Sequence, residues 1–510
     1  MNISKFIIVF VFLLTSLIKV LTVSNGNFAF TTDQGRDMID LRQIAVGHDL
    51  RLIGPTTSIN GVFLGPFWYY FNLPAFILSN GDASFVLLWQ IAALQLTGIF
   101  IYWQLSKILP KFSLVASVLY FCLPLGFIAA RYSWNANAMI FVTAIFFTLY
   151  LKTLLKPTII DSVVLGLVSG LALQTEAAFG ILLVPFAFSS VIIQRRFKYT
   201  LPIVFGFLVT LIPQFLFEIK HQFIMTKLLF AEFTTPHAIL GESLSFAQRI
   251  TDRTNYIQFI IAQFSHLPPL FVKIILSITA LGSFIALFKS KKFTQKIVLS
   301  QLVFFLLAIC FYLAFSKPLK LWYVYGLTIP LIFLTSSVLS MIMSHRFLKY
   351  AAFIVLILSV ATTFKEQYGY LKASTTISSE DKSSYLNSLN TVRTAFSFAE
   401  GGNFKAYNFM PSIYDYPYQY LYWYLGKTEY KYVPEDIAYL PNQPEYITQR
   451  TAYFYPKKLG SAVNTILIIE DGGLSQNRDQ FLNTFNHLCQ AYAQDFDYGV
   501  QVRKLYECNP

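Results

Sequence analysis

The chain has 510 residues, of which 55% are hydrophobic and only 13% are charged, compared with about 25% charged residues in an ordinary soluble protein. Its hydrophobic stretches are too many and too long to be the cores of separate soluble domains. The 51 Phe and 31 Tyr residues exclude a disordered or collagen-like chain, because so much aromatic surface must be buried or placed in lipid. The composition therefore indicates an integral membrane protein.

Apolar runs of roughly 17 to 23 residues predict eleven transmembrane helices. We place them at 4–23, 83–106, 112–131, 136–155, 159–175, 177–194, 199–217, 268–288, 296–316, 321–343 and 347–364. The formal net charge of +13 is spread in short clusters between these runs, whereas nucleic-acid binding would need one basic patch. We therefore expect no nucleic-acid partner.

The basic residues predict the topology. With the amino terminus in the cytoplasm, every short inner turn is basic: Lys107, Lys111, Lys152, Lys156, Arg195, Arg196, Lys198, Lys289, Lys291, Lys292, Lys296, Arg346 and Lys349. Because cytoplasmic loops are enriched in lysine and arginine, the amino terminus is expected inside and the carboxyl terminus outside. The first run is also compatible with a signal peptide, but no small-x-small cleavage site follows closely. Lys19 lies near its outer end, where a long side chain can reach the interface.

The predicted fold is an α-helical integral membrane domain over 1–365 and an extracytoplasmic α/β domain over 366–510. The longer polar regions, expected outside, are a first loop over 24–82, a fourth loop over 218–267 and the tail. In the tail, the patterns predict a helix over 380–399, strands over 404–410, 465–469 and 498–506, and an amphipathic helix over 478–492. The chain has no Gly-x-x-x-x-Gly-Lys-Ser/Thr loop, so nucleotide-dependent chemistry is disfavoured.

The aromatic residues of the tail and the four cysteines of the chain can also be interpreted. The aromatic stretch over 411–425 either rests on the membrane interface or contacts a sugar or lipid directly. Cys122 and Cys310 lie within predicted spans and are expected to pack as apolar residues. Cys489 and Cys508 both lie in the tail, where a bridge is expected if the compartment is oxidising.

The first loop carries the densest charge near a lipid boundary. The segment Thr32-Asp33-Gln34-Gly35-Arg36-Asp37-Met38-Ile39-Asp40-Leu41-Arg42 holds five charged residues, and Gly65-Pro66-Phe67-Trp68-Tyr69-Tyr70 follows it. A helix over 35–46 would place Arg36 and Asp40 on one face. Such a helix either lies along the membrane or is a solvated amphipathic element with local ion pairs.

The order of these features resembles the GT-C membrane glycosyltransferases, and more narrowly the group that holds the protein O-mannosyltransferases and the lipid A aminoarabinose transferases. In that family the first outer loop carries an Asp-Glu-x-Arg-like motif, followed by a Lys-Pro-Pro-x-Tyr-Tyr/Trp-like motif. The resemblance covers 1–365 in hydropathy layout, and its motifs occupy 33–37 and 65–70. It implies a GT-C-like fold and transfer of a sugar from a polyprenyl-phosphate donor to an envelope lipid, glycan or protein.

The resemblance also implies roles for the first-loop residues. Asp33 would be the catalytic base, with Asp37 one turn along as the alternative, and Arg36 would bind the donor phosphate. This agrees with the chemistry, because a phosphate leaving group needs neutralising charge while the acceptor hydroxyl must lose a proton. Tyr69 of the second motif is expected to contact substrate.

The chain departs from the family pattern at two positions. Gln34 stands at the position of the second acid, and Gly65 stands at the position of the lysine before the first proline. Another cation is therefore expected at the phosphate, and the candidates are Lys320, Lys220 and Arg131.

Other outer residues complete the predicted site. Asn135 and Asn137, in the turn after the third span, either bind a sugar or acceptor through their amides or cap the next helix. Glu176, at the polar tip between the fifth and sixth spans, should face a cavity or a cation, because a carboxylate facing lipid is costly. Five fourth-loop residues either form lid or acceptor contacts or belong to a solvated face: His237, Glu242, Arg249, Asp252 and Arg253.

No cysteine and histidine spacing typical of a metal site occurs, and no cofactor is implied. The expected partners are a polyprenyl-phosphate sugar, membrane lipids and an unidentified acceptor. One alternative is a polytopic transporter or lipid-linked glycan flippase, and another is an envelope sensor or scaffold. Convergence of Asp33, Arg36 and Glu176 on one outer cavity would favour the enzyme, whereas a path between two-fold-related halves would favour transport.

Overall fold

The structure, a computed structural model, describes residues 3–234, 242–263, 267–376, 381–412, 414–443 and 460–508. The helices in chain order are α1 (Ile3–Val23), α2 (Thr32–Ala45), α3 (Phe67–Leu78), α4 (Ala83–Leu105), α5 (Pro110–Phe121), α6 (Pro124–Ala129), α7 (Asn135–Leu155), α8 (Ile159–Thr175), α9 (Ala177–Gln194), α10 (Thr200–Lys220), α11 (Ile224–Thr234), α12 (Phe246–Ala262), α13 (Pro269–Lys289), α14 (Lys292–Ala314), α15 (Thr328–Ile342), α16 (Lys349–Thr376), α17 (Tyr385–Phe398), α18 (Tyr416–Leu425) and α19 (Ser475–Asn483). The strands are β1 (Phe404–Phe409), β2 (Asp436–Ala438), β3 (Asn464–Glu470), β4 (Leu488–Phe496) and β5 (Val500–Glu507).

Eleven helical segments of the described chain match the predicted spans. Nine are long and apolar enough to cross a membrane, and α5 and α8 are shorter apolar helices beside them. A 3₁₀ helix over Leu321–Leu327 precedes α15 and completes its span. The prediction of a multi-pass membrane protein is confirmed.

The predicted third span was wrong in its bounds. It was placed at 112–131, but α5 ends at Phe121 and the chain restarts as the short helix α6 with Pro124 in its first turn. Proline lacks the N–H that a continuing helix would use, so the chain breaks before it.

Lys19 does not extend to the interface. Only 3% of it is exposed; its Nζ lies 3.4 Å from Gln95 Oε1 and 4.2 Å from the centre of the Phe127 ring. The expectation that it reaches the interface was wrong, because α4 and α6 enclose this part of α1.

Helix α7 lies at the centre of the bundle, and nearly all of its residues are buried. Phe147 of α7 contacts Phe186 of α9, Phe304 of α14 and Phe333 of α15, with ring centres 5.0–6.1 Å apart. Such aromatic pairs stabilise beyond the area they bury. This packing fixes the outer end of α7, where Asn135 begins the helix.

Helices α8 and α10 approach each other closely through small residues. A Cβ at Gly166 would overlap the Ile203 carbonyl, and one at Gly206 would overlap the Val163 carbonyl. One turn further along, Gly170 faces Thr210. Small residues four apart on each helix are typical of close packing between transmembrane helices.

The charged segment of the first loop forms α2, which begins at Thr32, and its residues from Gln34 to Ile44 are all buried. The interpretation of this segment as a solvated helix was therefore wrong. Its cover comes from the tail, because α18 lies against α2: a Cβ at Gly35 would overlap Pro417 and Tyr416. Backbone hydrogen bonds join Phe30 to Ser383 and Tyr385 to Phe28, at 2.7 and 2.9 Å.

The tail contains a five-stranded sheet in the order β2-β1-β3-β5-β4. Strand β1 is parallel to β2 and β3, and β5 is antiparallel to β3 and β4. The predicted strands correspond to β1, β3 and β5, and the predicted helix over 380–399 corresponds to α17, although residues 377–380 lie outside the described residues. The predicted amphipathic helix over 478–492 was wrong at its end, since α19 stops at Asn483 and residues from Leu488 onwards form β4.

Residues Tyr416–Leu425 of the aromatic stretch form α18, and both interpretations were wrong for the side chains that are buried there. Tyr418, Tyr420, Tyr422 and Trp423 are fully buried. The Tyr420 hydroxyl donates to the Gly81 carbonyl. These side chains fill the contact between the first loop and the sheet, so they face neither lipid nor an open site.

Cys489 and Cys508 form a disulfide, as expected, with Cα atoms 5.1 Å apart. The bridge joins the start of β4 to the residue that follows β5. Cys122 is buried, whereas Cys310 is exposed on the surface of the helical bundle.

Candidate functional site on the first loop

Helix α2 is anchored at its start by Gln34. Gln34 Oε1 accepts hydrogen bonds from the Thr31 N–H and the Thr31 hydroxyl, at 2.8 and 2.7 Å. Its Nε2 donates to the Ser133 carbonyl at 2.8 Å. The residue at the position of the family's second acid thus ties α2 to the turn before α7 and fixes Asp33 and Arg36 relative to it.

Arg36 is held by two carboxylates. Its Nε and Nη2 donate to Asp37 Oδ1 at 3.0 and 2.8 Å, and its Nη1 donates to Asp33 Oδ1 at 3.0 Å. Nη1 also reaches the Thr56 hydroxyl at 3.1 Å. The other Asp37 oxygen, Oδ2, accepts the Trp68 indole N–H at 2.8 Å, so both oxygens of Asp37 are engaged.

Burial has the largest effect on the pKa values of Arg36 and Asp37. It raises the pKa of Asp37 to about 6, against the opposing effect of the Arg36 guanidinium. For Arg36, burial acts to lower the pKa, but Asp37, Tyr69 and Asp33 together raise it well above its usual value. The two hydrogen bonds from the guanidinium favour the ionised form of Asp37. Asp37 is buried, whereas the Asp33 side chain is 38% exposed.

A second ion pair lies further along α2. Asp40 accepts from Arg51 at 2.8 Å through Oδ1 and from the Tyr69 hydroxyl at 2.8 Å through Oδ2. Tyr69 is buried. It therefore supports α2 from α3 and does not lie on the surface of the pocket described next.

A pocket of about 200 Å³ opens beside Arg36. Four residues predicted for the site line it: Asp33, Arg36, Asn135 and Glu176. It is completed by Thr56, Thr57, Ser58, Leu64, Trp134, Trp322 and Tyr323. The walls come from the first loop, the starts of α7 and α9, and the 3₁₀ helix before α15, so residues far apart in sequence meet here.

The starts of α7 and α9 position the two polar groups opposite α2. Asn135 Nδ2 donates to the Thr175 carbonyl at 2.8 Å, which ties α7 to the end of α8. Glu176 begins α9, and its Oε1 accepts the Ala178 N–H at 3.2 Å. Burial raises the pKa of Glu176 to about 7, because little solvent reaches its carboxylate.

The other predicted catalytic, donor-binding and substrate-binding residues lie elsewhere. Lys220, the last residue of α10, is exposed and does not line the pocket. Asp37 and Tyr69 are buried behind Arg36. Asn137 Nδ2 donates to the Tyr132 carbonyl at 2.7 Å, and Arg131 donates to Gln367 at 2.8 Å and stacks on Tyr370. Lys320 is exposed, with its Nζ 5.9 Å from the ring of Trp322, which lines the pocket.

Several lining residues were not predicted. Thr56, Thr57 and Ser58 form a run of hydroxyls after Pro55 with no helical or strand period. Trp322 lies beside Lys320, which was singled out only for its charge. Trp134 directly precedes Asn135 in the chain, and aromatic side chains beside a few polar groups are typical of ligand pockets.

The fourth loop contributes packing at Arg253. Arg253 is buried and donates to the carbonyls of Tyr312, Phe315 and Lys317, at 2.8–3.1 Å. The prediction of a solvated face was wrong for this residue. Arg249 likewise binds the carbonyls of Leu244 and Leu313, Asp252 pairs with Arg253, Glu242 is exposed, and His237 lies outside the described residues.

No three side chains of His, Cys, Asp or Glu come together as a metal-ligand set in the described ranges.

The fold of the chain is similar to that of solved structures. The chain is similar to the crystal structure of ArnT from Cupriavidus metallidurans bound to undecaprenyl phosphate, with a TM-score of 0.57 over 97% of each chain. The chain has a GT-C-like fold. The sequence identity is 12%, so the likeness concerns the fold and not individual residues.

The GT-C-like fold extends over both parts of the chain, since the match leaves out only a small fraction of either protein. The fold predicted from the first-loop motifs is thereby confirmed. No family model matches the sequence, and no curated protein matches it.

Proposed function

We propose that the protein is a membrane glycosyltransferase that moves a sugar from a polyprenyl-phosphate donor to an envelope lipid, glycan or protein. The observation that carries the proposal is the meeting of Asp33, Arg36, Asn135 and Glu176 in one pocket of a GT-C-like fold. A carboxylate beside a guanidinium supplies the two functions that transfer from a glycosyl phosphate needs. ArnT, which shares the fold, was solved with undecaprenyl phosphate, and this favours a polyprenyl-phosphate lipid as the donor.

Asp33 is assigned as the base. It lines the pocket and is the more exposed of the two carboxylates on Arg36. An acceptor hydroxyl in the pocket could hydrogen-bond to Asp33 and lose its proton as it attacks the anomeric carbon. Asp37 is assigned to orienting Arg36, because hydrogen bonds engage both of its oxygens.

Arg36 Nη1 is assigned to the donor phosphate. This nitrogen faces the two pocket-lining side chains Asp33 and Thr56, whereas Nε and Nη2 are held by Asp37. A phosphate oxygen would therefore compete with Asp33 for Nη1, which would free the base for the acceptor. Lys320, exposed beside Trp322, is the second cation in this assignment, and Arg131 acts indirectly by fixing the turn before Asn135.

The proposed site lies on the outer face of the membrane. The basic inner turns favour a cytoplasmic amino terminus and an extracytoplasmic domain over 366–510. The first loop, the α8–α9 junction and the turn before α7 then share the outer side. The disulfide in the tail supports this orientation, because disulfides persist mainly in oxidising compartments.

The test compares Asp33→Asn, Asp37→Asn and the control Asp49→Asn in purified protein. The donor is first identified by mass analysis of envelope lipids, glycans and proteins from a strain lacking the protein, where one sugar should be lost. We expect Asp33→Asn to lower kcat about 100-fold or more, the usual range for a general base. Asp49 pairs with Arg51 on the surface at 3.6 Å, and its variant should retain activity.

The rival assignments predict different results. If Asp37 were the base, Asp37→Asn would show the large loss in kcat and Asp33→Asn would not. As an orienting residue, Asp37 should instead affect mainly the KM for the donor. Full activity in both variants would remove the first loop from the mechanism, and lipid flipping without sugar transfer would favour the flippase.

A further inference from the structure

Glu176 is a buried carboxylic acid in the wall of the proposed site. Only 8% of it is exposed, and it makes no ion pair within the described residues. Its Oε1 accepts the Ala178 N–H at the start of α9. Its Oε2 has no hydrogen-bond partner in the same ranges, although the residue lines the pocket.

The charges around the pocket do not balance if an anion enters. Arg36 is the one cation among the described lining residues, whereas Asp33 and Glu176 are both acids, and Asp37 lies directly behind Arg36. Arg36 and the exposed Lys320 beside the pocket are thus together already matched by Asp33 and Asp37. Adding a phosphate while Glu176 is ionised would place like charges together in a poorly hydrated site, which is unfavourable.

We propose that Glu176 binds the phosphate of the donor lipid in its protonated form, with its carboxyl O–H donating a hydrogen bond to a phosphate oxygen. This inference rests on the proposed function. The Ala178 N–H can remain on Oε1 while the proton is carried by Oε2. Glu176 therefore acts as a neutral hydrogen-bond donor to the phosphate, whereas Arg36 is a charged one. When Glu176 is ionised in the free protein, binding of the phosphate takes up one proton.

The surroundings of Glu176 agree with this role. Its pKa is raised by burial to about 7, and an approaching anion would raise it further. The titratable groups that face it are Tyr312 of α14 and Tyr323 of the 3₁₀ helix, with Asp33 and Arg36 in the same pocket. A phenol ordinarily titrates near pH ~10, so both tyrosines are neutral at neutral pH and neither balances the charge of an ionised Glu176.

The test measures binding of undecaprenyl phosphate to the purified full-length protein in detergent between pH 6 and 9. Glu176→Gln is the matched variant, because its amide can accept from Ala178 and donate to phosphate at every pH. The lipid phosphate itself titrates, so each value is compared with Glu176→Gln at the same pH. Relative to that variant, the wild-type dissociation constant should rise about tenfold per pH unit above pH ~7.5.

Two further variants complete the design. Glu176→Ala removes the hydrogen-bonding carboxyl group and should bind the lipid weakly at all pH values. Arg36→Lys should weaken binding without removing the pH dependence. Thermal unfolding of each variant shows whether it is folded, and Glu176→Gln keeps the test valid if Glu176→Ala is not.

The outcomes separate the two proposals. If the wild-type protein fails to bind undecaprenyl phosphate at every pH, the proposed function fails. If it binds but has the same pH profile as Glu176→Gln, the role of Glu176 is wrong. Binding that requires Mg²⁺ or Mn²⁺ and is lost in Glu176→Gln would also overturn the inference, since a cation and not a proton would then neutralise Glu176.

Discussion

Trp68 shows how a single hydrogen-bond donor supports the structure of the first loop. Its indole N–H points at Asp37 Oδ2, and Asp37 in turn holds Arg36 on its other oxygen. A buried carboxylate that loses a hydrogen bond keeps its charge but loses part of the interaction that offsets its desolvation. This loss destabilises the folded protein. The position of Arg36 in the pocket therefore depends on an aromatic residue that does not line it.

We expect Trp68→Phe to lower the free energy of unfolding by about 1.5–3 kcal/mol, the range for a hydrogen bond to a charged group. The matched control is Trp89→Phe, because the Trp89 indole N–H donates to the neutral Phe71 carbonyl at 2.9 Å. That variant should lose only about 0.5–1.5 kcal/mol. Denaturation of the purified proteins in detergent gives both values, and equal losses would argue against a charged Asp37.

At the scale of elements, hydropathy predicts which segments become helices, because crossing a membrane demands a long apolar run. The bounds of α8 and α9 were predicted correctly since Glu176 separates two such runs. Hydropathy does not give the partner of a helix. The aromatic residues of α18 suit lipid, sugar or another helix equally well, and only the fold shows that they cover α2.

The same limit applies to the candidate site. Charged residues beside apolar runs are visible in the sequence, so Asp33, Arg36 and Glu176 can be predicted as site residues. Asp37 and Tyr69 belong to the same two motifs and are polar residues beside apolar runs, yet their side chains are buried behind the pocket. Thr56 to Ser58 lie in an irregular loop, whose path depends on contacts that no local pattern encodes.

The contact between α8 and α10 gives an element-scale prediction. Gly206→Val should separate the two helices, because its side chain would meet the backbone at Val163. We expect a loss of folded protein on extraction and a lower melting temperature. The control is Gly369→Val in α16, where an added Cβ would meet nothing within 4 Å. Similar behaviour of the two variants would show that the close approach does not contribute to stability.

Across the whole molecule, the first loop and the tail behave as one structural unit. Backbone hydrogen bonds tie 28–30 to 383–385, and Tyr420 reaches the Gly81 carbonyl. Both segments must therefore lie on the same side of the membrane. The positive-inside pattern predicts that this side is the exterior.

A reporter fused after Pro510 should give an extracytoplasmic signal, and a reporter fused in the turn after Lys289 should give a cytoplasmic one. The reason is the enrichment of lysine in the inner turns, including Lys291, Lys292 and Lys296. The Cys489–Cys508 bridge provides an independent measurement, because thiol labelling without reductant should leave both cysteines unmodified. A cytoplasmic signal after Pro510 would overturn the topology and, with it, the proposed outer-face enzyme.

The absence of a side chain at Gly35 has a consequence for protein engineering. Tyr416 and Pro417 occupy the space that a side chain would need, so the close packing of α18 on α2 depends on the glycine at this position. A chimera joined near Lys365, with the tail of one relative on the membrane domain of another, would set a foreign α18 against α2 and shift Asp33 and Arg36 away from Glu176. We therefore expect a chimera to keep the pocket geometry only when 24–82 and 381–443 are exchanged together.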